Sequence, residues 1–344
     1  MRNFHLLLTL VILIFSCEQR EKKSIIERPS GWELVETPVS SSLRGLSPVT
    51  DNIVWASGSG GVWLRTLDGG ISWETGIIDG LDSVDFRDIE AFNATTAVAV
   101  AAGQPAVIYK TKDGGKSWQK VYQGEESDFF DGVAFHKNRG VVYGDAVDGK
   151  WRLLMSNDQG DSWKAIETSP KAFAGAGSFA ASGSGILMRE DDVWFASGGS
   201  QSNIYHSPDK GMSWSIYPTP IVQGEASQGI FSITQLSRHI LFAVGGDFLQ
   251  EGLTEKNAMI SQDDGKTWTL IEGNPPSGYR SGVTYFPFHH WLIAVGPNGS
   301  DFSKNGGHDW ERFSEEGFHS VFLDKSQRSV WASGAKGKIA KLRF

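Results

Sequence analysis

The chain has 344 residues, 40% of them hydrophobic and only 21% charged, with a formal net charge of −8. Its 41 glycines and 13 tryptophans are too many turn formers for a helical bundle and too much aromatic surface for a disordered chain. Lysines and arginines scattered on an acidic background exclude a nucleic-acid surface, which needs a concentrated basic patch, and one cysteine excludes an intramolecular disulfide or a Cys-rich metal site.

Residues 1–17 carry Arg2, an apolar run from Leu6 to Phe15, and Ser16-Cys17, the layout of a secretory signal. The run is shorter than the roughly 20 residues that cross a bilayer as a helix. Ile14-Phe15-Ser16-Cys17 resembles the lipobox of bacterial lipoproteins, in which the cysteine becomes the lipidated first residue. Phe15 departs from that pattern, since its position is ordinarily small or modestly branched. The expectation is a protein lipidated on Cys17, with a polar tether over 18–30, held on a bacterial envelope membrane and facing the periplasm or the exterior.

From residue 31 onward the chain repeats itself. One motif recurs as Thr66-x-Asp68-x-Gly70-x-Ser72-Trp73, Thr111-x-Asp113-x-Gly115-x-Ser117-Trp118, Ser156-x-Asp158-x-Gly160-x-Ser162-Trp163, Ser207-x-Asp209-x-Gly211-x-Ser213-Trp214 and Ser261-x-Asp263-x-Gly265-x-Thr267-Trp268. It decays in Ser303-x-Asn305-x-Gly307-x-Asp309-Trp310. The tryptophans stand 45, 45, 51, 54 and 42 residues apart, a period of propeller blades or of helical HEAT-type arrays. Apolar and polar residues alternate between the motifs and glycines interrupt them, which excludes the helical option. A second series, short apolar strands ending in glycine at 58, 103, 144, 198, 245, 296 and 334, has seven members. Gly31-Trp32-Glu33-Leu34-Val35 reads like the segment after each motif. The reading is an all-β fold over 31–344: a seven-bladed β-propeller whose N-terminal strand completes the last blade, leaving no open sheet edge.

The repeated motif is identified as the Asp-box, or bacterial neuraminidase repeat. Within that group the chain resembles the photosystem II stability/assembly factor-like family, some bacterial members of which are labelled oxidoreductases. Phe86-Arg87-Asp88-Ile89, Val142-Tyr143-Gly144-Asp145-Ala146-Val147-Asp148-Gly149 and Gly177-Ser178-Phe179-Ala180-Ala181-Ser182-Gly183 carry the closer resemblance. The boxes are read as structural. The aspartate accepts hydrogen bonds from its own turn, the glycine supplies a positive φ and the tryptophan packs between sheets. Their single carboxylates do not suit calcium, and no metal or cofactor is expected.

Chemistry is sparse. A sialidase needs an arginine triad, a tyrosine nucleophile and a glutamate; the Arg-Ile-Pro signature expected before the first box is absent from this sequence. Gly58-Ser59-Gly60-Gly61 and Gly198-Gly199 read as hairpin turns, since neither opens a helix as phosphate binding requires. His289 and His290 read as neighbours on a strand, pointing to opposite faces. The assembly-factor resemblance implies arginines near the axis as a partner surface, which points to Arg44, Arg87 and Arg280 on the face opposite the boxes. Asp131, Gln228 and His319 hold comparable places in other blades. The segment Asp247–Glu255 is a long loop on that face, suited to specificity. The functional expectation is a non-catalytic interaction scaffold with a protein partner. The alternative is a sialidase-like glycoside hydrolase or glycan-binding lectin.

Overall fold

A computed structural model describes residues 28–344. Cys17 and the signal region lie outside the described residues, as does most of the tether. Seven antiparallel sheets surround one axis. Their innermost strands are Leu43–Pro48, Asp85–Ala91, Phe130–His136, Ile186–Arg189, Gln228–Gln235, Gly282–Phe286 and Ser320–Leu323. In the first blade the order from the axis outward is Leu43–Pro48, Val54–Gly58, Val62–Thr66 and Glu74–Ile77. The two middle strands are buried at every position, and the outermost is exposed at all but one. Middle strands buried on both faces need apolar residues throughout, which is why Val-Trp-Ala-Ser-Gly recurs without alternation.

The seventh blade takes three strands from the C-terminal end and its outer strand, Gly31–Val35, from the N-terminal end. The register runs from Gly31 opposite Arg343 to Val35 opposite Ile339. Trp32, buried, donates its indole N–H to Ser300 Oγ of the sixth blade at 3.0 Å. The ring is therefore closed as the sequence indicates.

The core lies between blades. One cluster joins Trp55 and Trp63 of the first blade to Phe86, Ile89, Ala97 and Ala99 of the second. Another joins Leu43, Val54 and Leu64 of the first to Trp331 and Ile339 of the seventh. Each inter-sheet seam thus buries the apolar faces of two neighbours.

The boxes fill the turns between third and fourth strands. Asp68 accepts from the Ser72 amide at 2.9 Å and the Ser72 hydroxyl at 2.6 Å, while Thr66 Oγ1 accepts from the Gly70 amide at 2.9 Å. Gly70 adopts φ +92°, and a Cβ there would lie 2.8 Å from Val35, so turn and packing both require glycine. The sixth box solves the same problem with roles exchanged: Asn305 Nδ2 donates to Asp309 Oδ2 at 2.8 Å, where the other boxes have a hydroxyl donating to an aspartate. Trp268 and Trp310 each donate to the carbonyl of their own box glycine at 2.9 Å.

Two local readings differ. His289 and His290 lie in the turn between Gly282–Phe286 and Trp291–Gly296; His289 stacks on Trp291 and His290 Nδ1 meets the Tyr285 hydroxyl at 3.1 Å. Gly198–Gly199 is more than a turn. It pairs with Ala176–Gly177 on one side and with Gly229 on the other. Gly229, at φ +150°, approaches so closely that its Cβ would lie 2.4 Å from the Gly198 Cα.

Candidate functional site

The face opposite the boxes carries a funnel of about 470 Å³ at the axis. Charged side chains converge on it from four blades: Arg44, Arg87, the pair Asp131 and Asp145, and Glu251. A larger depression of about 630 Å³ runs beside the closing strand, between Val35 and Lys338. It lacks such convergence, and the funnel is the better candidate.

The funnel's side chains are aimed by β-bulges. The ladder between the first two strands skips one residue at Arg44 in the first blade, at Asp131 in the third and at Phe231 in the fifth; in the second blade it is irregular across Phe86 and Arg87. A second bulge in the third blade falls on Asp145. A bulged residue leaves the ladder and its side chain is re-aimed. The same device at the same height of several blades turns these groups toward the axis.

The floor is a segment that the sequence reading did not recognise. Between the third and fourth blades the chain spends 20 residues, 166–185, where the neighbouring connections 78–84 and 124–129 spend 7 and 6. Its second half reaches across the axis. Arg44 Nη1 donates to Ala181 O at 3.0 Å, Ser182 Oγ donates to Ser281 O at 2.7 Å, and Ser184 Oγ meets Ser232 Oγ at 2.7 Å. Ser320 Oγ approaches Ser182 O at 3.4 Å, and a Cβ on Gly183, at φ +73°, would lie 2.4 Å from the Asp88 carboxyl. Together with Ser178 and Phe179 on the third blade, the segment touches every other blade and closes the channel.

Above this floor stands an aromatic wall. Phe179 stacks on Phe231 with centroids 3.8 Å apart, Tyr279 meets Phe231 edge-on at 4.7 Å, and Phe248 from the long fifth-blade loop closes on both rings at 6.3 Å. Phe248 is 42% exposed and Leu249 77% exposed, so the loop presents apolar surface at the mouth. The Glu251 carbonyl anchors it by accepting from the Tyr279 amide and Asn298 Nδ2, each at 2.9 Å.

Electrostatics divide the funnel. Burial and the neighbouring Arg87 lower the Arg44 pKa from its ordinary value, while Arg87 Nε is held by Asp85 at 2.7 Å. His319 is driven down to about 3 by burial and by Arg44, Arg87 and Lys338, so it is neutral at physiological pH. Asp131 is pushed well above the usual carboxylate range by burial and by Asp145. Beneath the floor, burial raises Asp88 to about 8 although it accepts from the Val133 amide at 2.7 Å and the Ile89 amide at 2.9 Å.

Arg280 does not join Arg44 and Arg87. Its side chain is fully buried in an ion pair with Asp301 at 2.5 Å, and its remaining donors go to the Tyr279 carbonyl, Asn298 Oδ1 and Ser277 Oγ, each at 2.7 Å. Of the other residues at comparable positions, Asp131 and His319 line the funnel, and Gln228 turns to Asp247 at 3.1 Å. The aromatic wall, Ser178 and Asp145 were not singled out as site residues. The available signals were the unusual length between Trp163 and Gly198 and the two family-bearing runs at 142–149 and 177–183.

Residues 25–128 match the family described as Photosynthesis system II assembly factor YCF48. The chain resembles that assembly-factor family. Among solved structures, "YCF48 bound to D1 peptide" superposes with a TM-score of 0.66 at 15% identity, covering 91% of this chain and 97% of that one. YCF48 from Cyanidioschyzon merolae gives 0.64 at 15% identity, with 91% and 98% covered. The GH74 xyloglucanase from Xanthomonas campestris gives 0.61 at 14% identity, and 90% of this chain covers 53% of that enzyme. At these identities the superpositions establish the fold, a YCF48-like propeller. No curated protein matches the sequence.

Proposed function

We propose that this protein is a non-catalytic, assembly-factor-like scaffold that holds a peptide segment of a partner protein in the axial funnel. The observation that carries the reading is the funnel itself: two bulge-aimed guanidiniums beside a four-ring aromatic wall, over a floor tied to all the surrounding blades. Guanidinium groups take carboxylates in forked geometry, and aromatic rings take apolar side chains at little entropic cost. The structural match to a YCF48 with a D1 peptide supports a peptide as the ligand class; the partner of this chain is its own. Arg44 and Arg87 are the partner-binding residues in this reading.

Lipidation at Cys17 and an envelope location belong to the same proposal. Gly31–Val35 enters from the Asp-box face, because it pairs antiparallel with the strand that ends there. A membrane anchor preceding it would leave the funnel facing away from the bilayer. Detergent fractionation of wild type against Cys17→Ala tests attachment, the variant being expected in the soluble fraction.

Affinity capture from membranes, comparing wild type with Arg44→Ala/Arg87→Ala, tests the function. Loss of a partner in the variant is expected. Equal recovery from both would overturn the arginine face, and glycoside turnover by the wild type would overturn the non-enzyme reading in favour of the carbohydrate-active alternative.

A further inference from the structure

The third blade leaves one buried carboxyl oxygen, Asp131 Oδ1, without a donor, beside the partly exposed carboxyl of Asp145. Asp131 and Asp145 are both bulge residues on adjacent strands, and between them stands a single hydroxyl. Ser178 Oγ donates to Asp131 Oδ2 at 2.5 Å and lies 3.2 Å from Asp145 Oδ1, which also accepts from the Ser178 amide at 2.9 Å. Asp131 is 98% buried by residue, since only 2% of its surface is exposed, and its Oδ1 has no hydrogen-bond partner. Neither aspartate forms an ion pair among the described residues; Arg87, whose charge acts on Asp131, pairs through its Nε with Asp85 instead. A buried, unpaired carboxyl oxygen costs about 1–3 kcal/mol, and in a folded protein such an atom calls for an explanation.

Asp131 and Asp145 both line the funnel. An ammonium group offers three donors and a full positive charge in a volume the size of a water molecule. Two carboxylates are too few for calcium, which takes six to eight oxygens. We infer that Asp131, Asp145 and Ser178 form a subsite for an ammonium group of the bound peptide, set against the guanidiniums of Arg44 and Arg87. This rests on the peptide-binding reading above. The funnel is then bipolar, and selects segments that carry a lysine side chain or a free α-amine at a fixed distance from a carboxylate. The raised proton affinity of Asp131, caused by burial and by Asp145, fits a carboxyl awaiting a cation.

A library of random 12-residue peptides displayed on phage, selected on the purified full chain, provides the probe. Lysine or a free N-terminus should be enriched several-fold at fixed spacing from an acidic residue. In the best synthetic peptide, replacing that lysine by norleucine, or acetylating the α-amine, should weaken binding about tenfold; whichever change does so identifies the source of the ammonium. Asp145→Asn and Asp131→Asn, each checked to melt no lower than wild type, should bind the charged and neutral peptides equally. Arg44→Ala/Arg87→Ala should lose the acidic preference and keep the cationic one. Selected peptides with no ammonium preference, or a preference that survives in both Asn variants, would overturn the subsite and leave peptide binding standing. Failure to select any peptide would overturn peptide binding and the subsite together.

Discussion

The two faces of the ring handle carboxylates in opposite ways. On the box face Asp68 and Asp113 are exposed, yet their neighbours' hydroxyls and amides, Ser72 and Ser117 first, hold them down to about 2. On the funnel side Asp88 and Asp131 are buried and driven up by desolvation. One face repeats a solved turn; the other departs from blade to blade, and its carboxyls are left with too few donors or too little water. In a repeat protein the regular positions report the fold, and the irregular ones mark where a site is built.

Acid and alkali should separate the faces most widely. A carboxyl held at about 2 stabilises the fold above its ordinary value near 4 and loses that contribution as pH falls from about 4 to 2. Asp88, at about 8, keeps its proton where the unfolded chain has released it, so stability should decline as pH rises from about 4 to 8. Denaturant midpoints from about pH 2 to about pH 8 should show both slopes. Asp88→Asn should flatten the alkaline one, with Asp131 sustaining what remains; an unchanged alkaline slope would show that these groups titrate normally.

Next in size is the fate of Arg280. Removing it strands Asp301 in the interior, so Arg280→Ala should cost about 3–5 kcal/mol. Arg87→Ala, at a partly exposed pair, should cost about 0–1 kcal/mol. Equal losses in thermal unfolding would contradict the division of the arginines into buried strut and exposed contact. Gly183→Ala should cost about 1–3 kcal/mol through its positive φ and the Asp88 carboxyl beside it, and should also weaken peptide binding because the floor shifts.

The smallest effect tests the boxes. Asn305→Asp places two carboxylates where Asn305 Nδ2 now donates to Asp309, and should cost about 1 kcal/mol. Adding Asp309→Ser rebuilds the ordinary box and should recover most of it. A double-mutant cycle with no coupling would show that the exchanged roles are coincidental.

The ring, its blade count and its closure were legible because each follows from a local chemical pattern repeated at a fixed period. Trp32 could be placed on the last blade since its surroundings match those of Trp118 and Trp268. The funnel was legible only in part. Arg44 and Arg87 stand at strand starts that the repeat locates, but Arg280 looked equivalent in sequence and is not. Its partner Asp301 lies on a strand two away from it in the same blade, a pairing that no spacing rule reveals. The floor escaped for a related reason: the contacts of Ser182 join residues 99 and 138 positions apart, and nothing in the run Ala180–Ser184 states that it crosses the axis. Bulges, which aim the remaining groups, leave no mark in a single sequence beyond a slipped alternation.

The pairing of Gly31–Val35 with Ile339–Arg343 also sets an order of events. The other blades are built from neighbouring stretches of chain and can form by local hairpins, whereas this pair must bring together ends about 300 residues apart, a closure that costs on the order of 5 kcal/mol of chain entropy and belongs late in folding. Until it forms, Ile339–Arg343 is a bare sheet edge and Gly31–Val35 an unpaired strand. The floor segment draws its partners from the first, sixth and seventh blades as well as from its neighbours, so the funnel face matures only with the closed ring. A nascent or truncated chain thus presents no finished funnel, and the peptide binding proposed above would begin only when synthesis is complete.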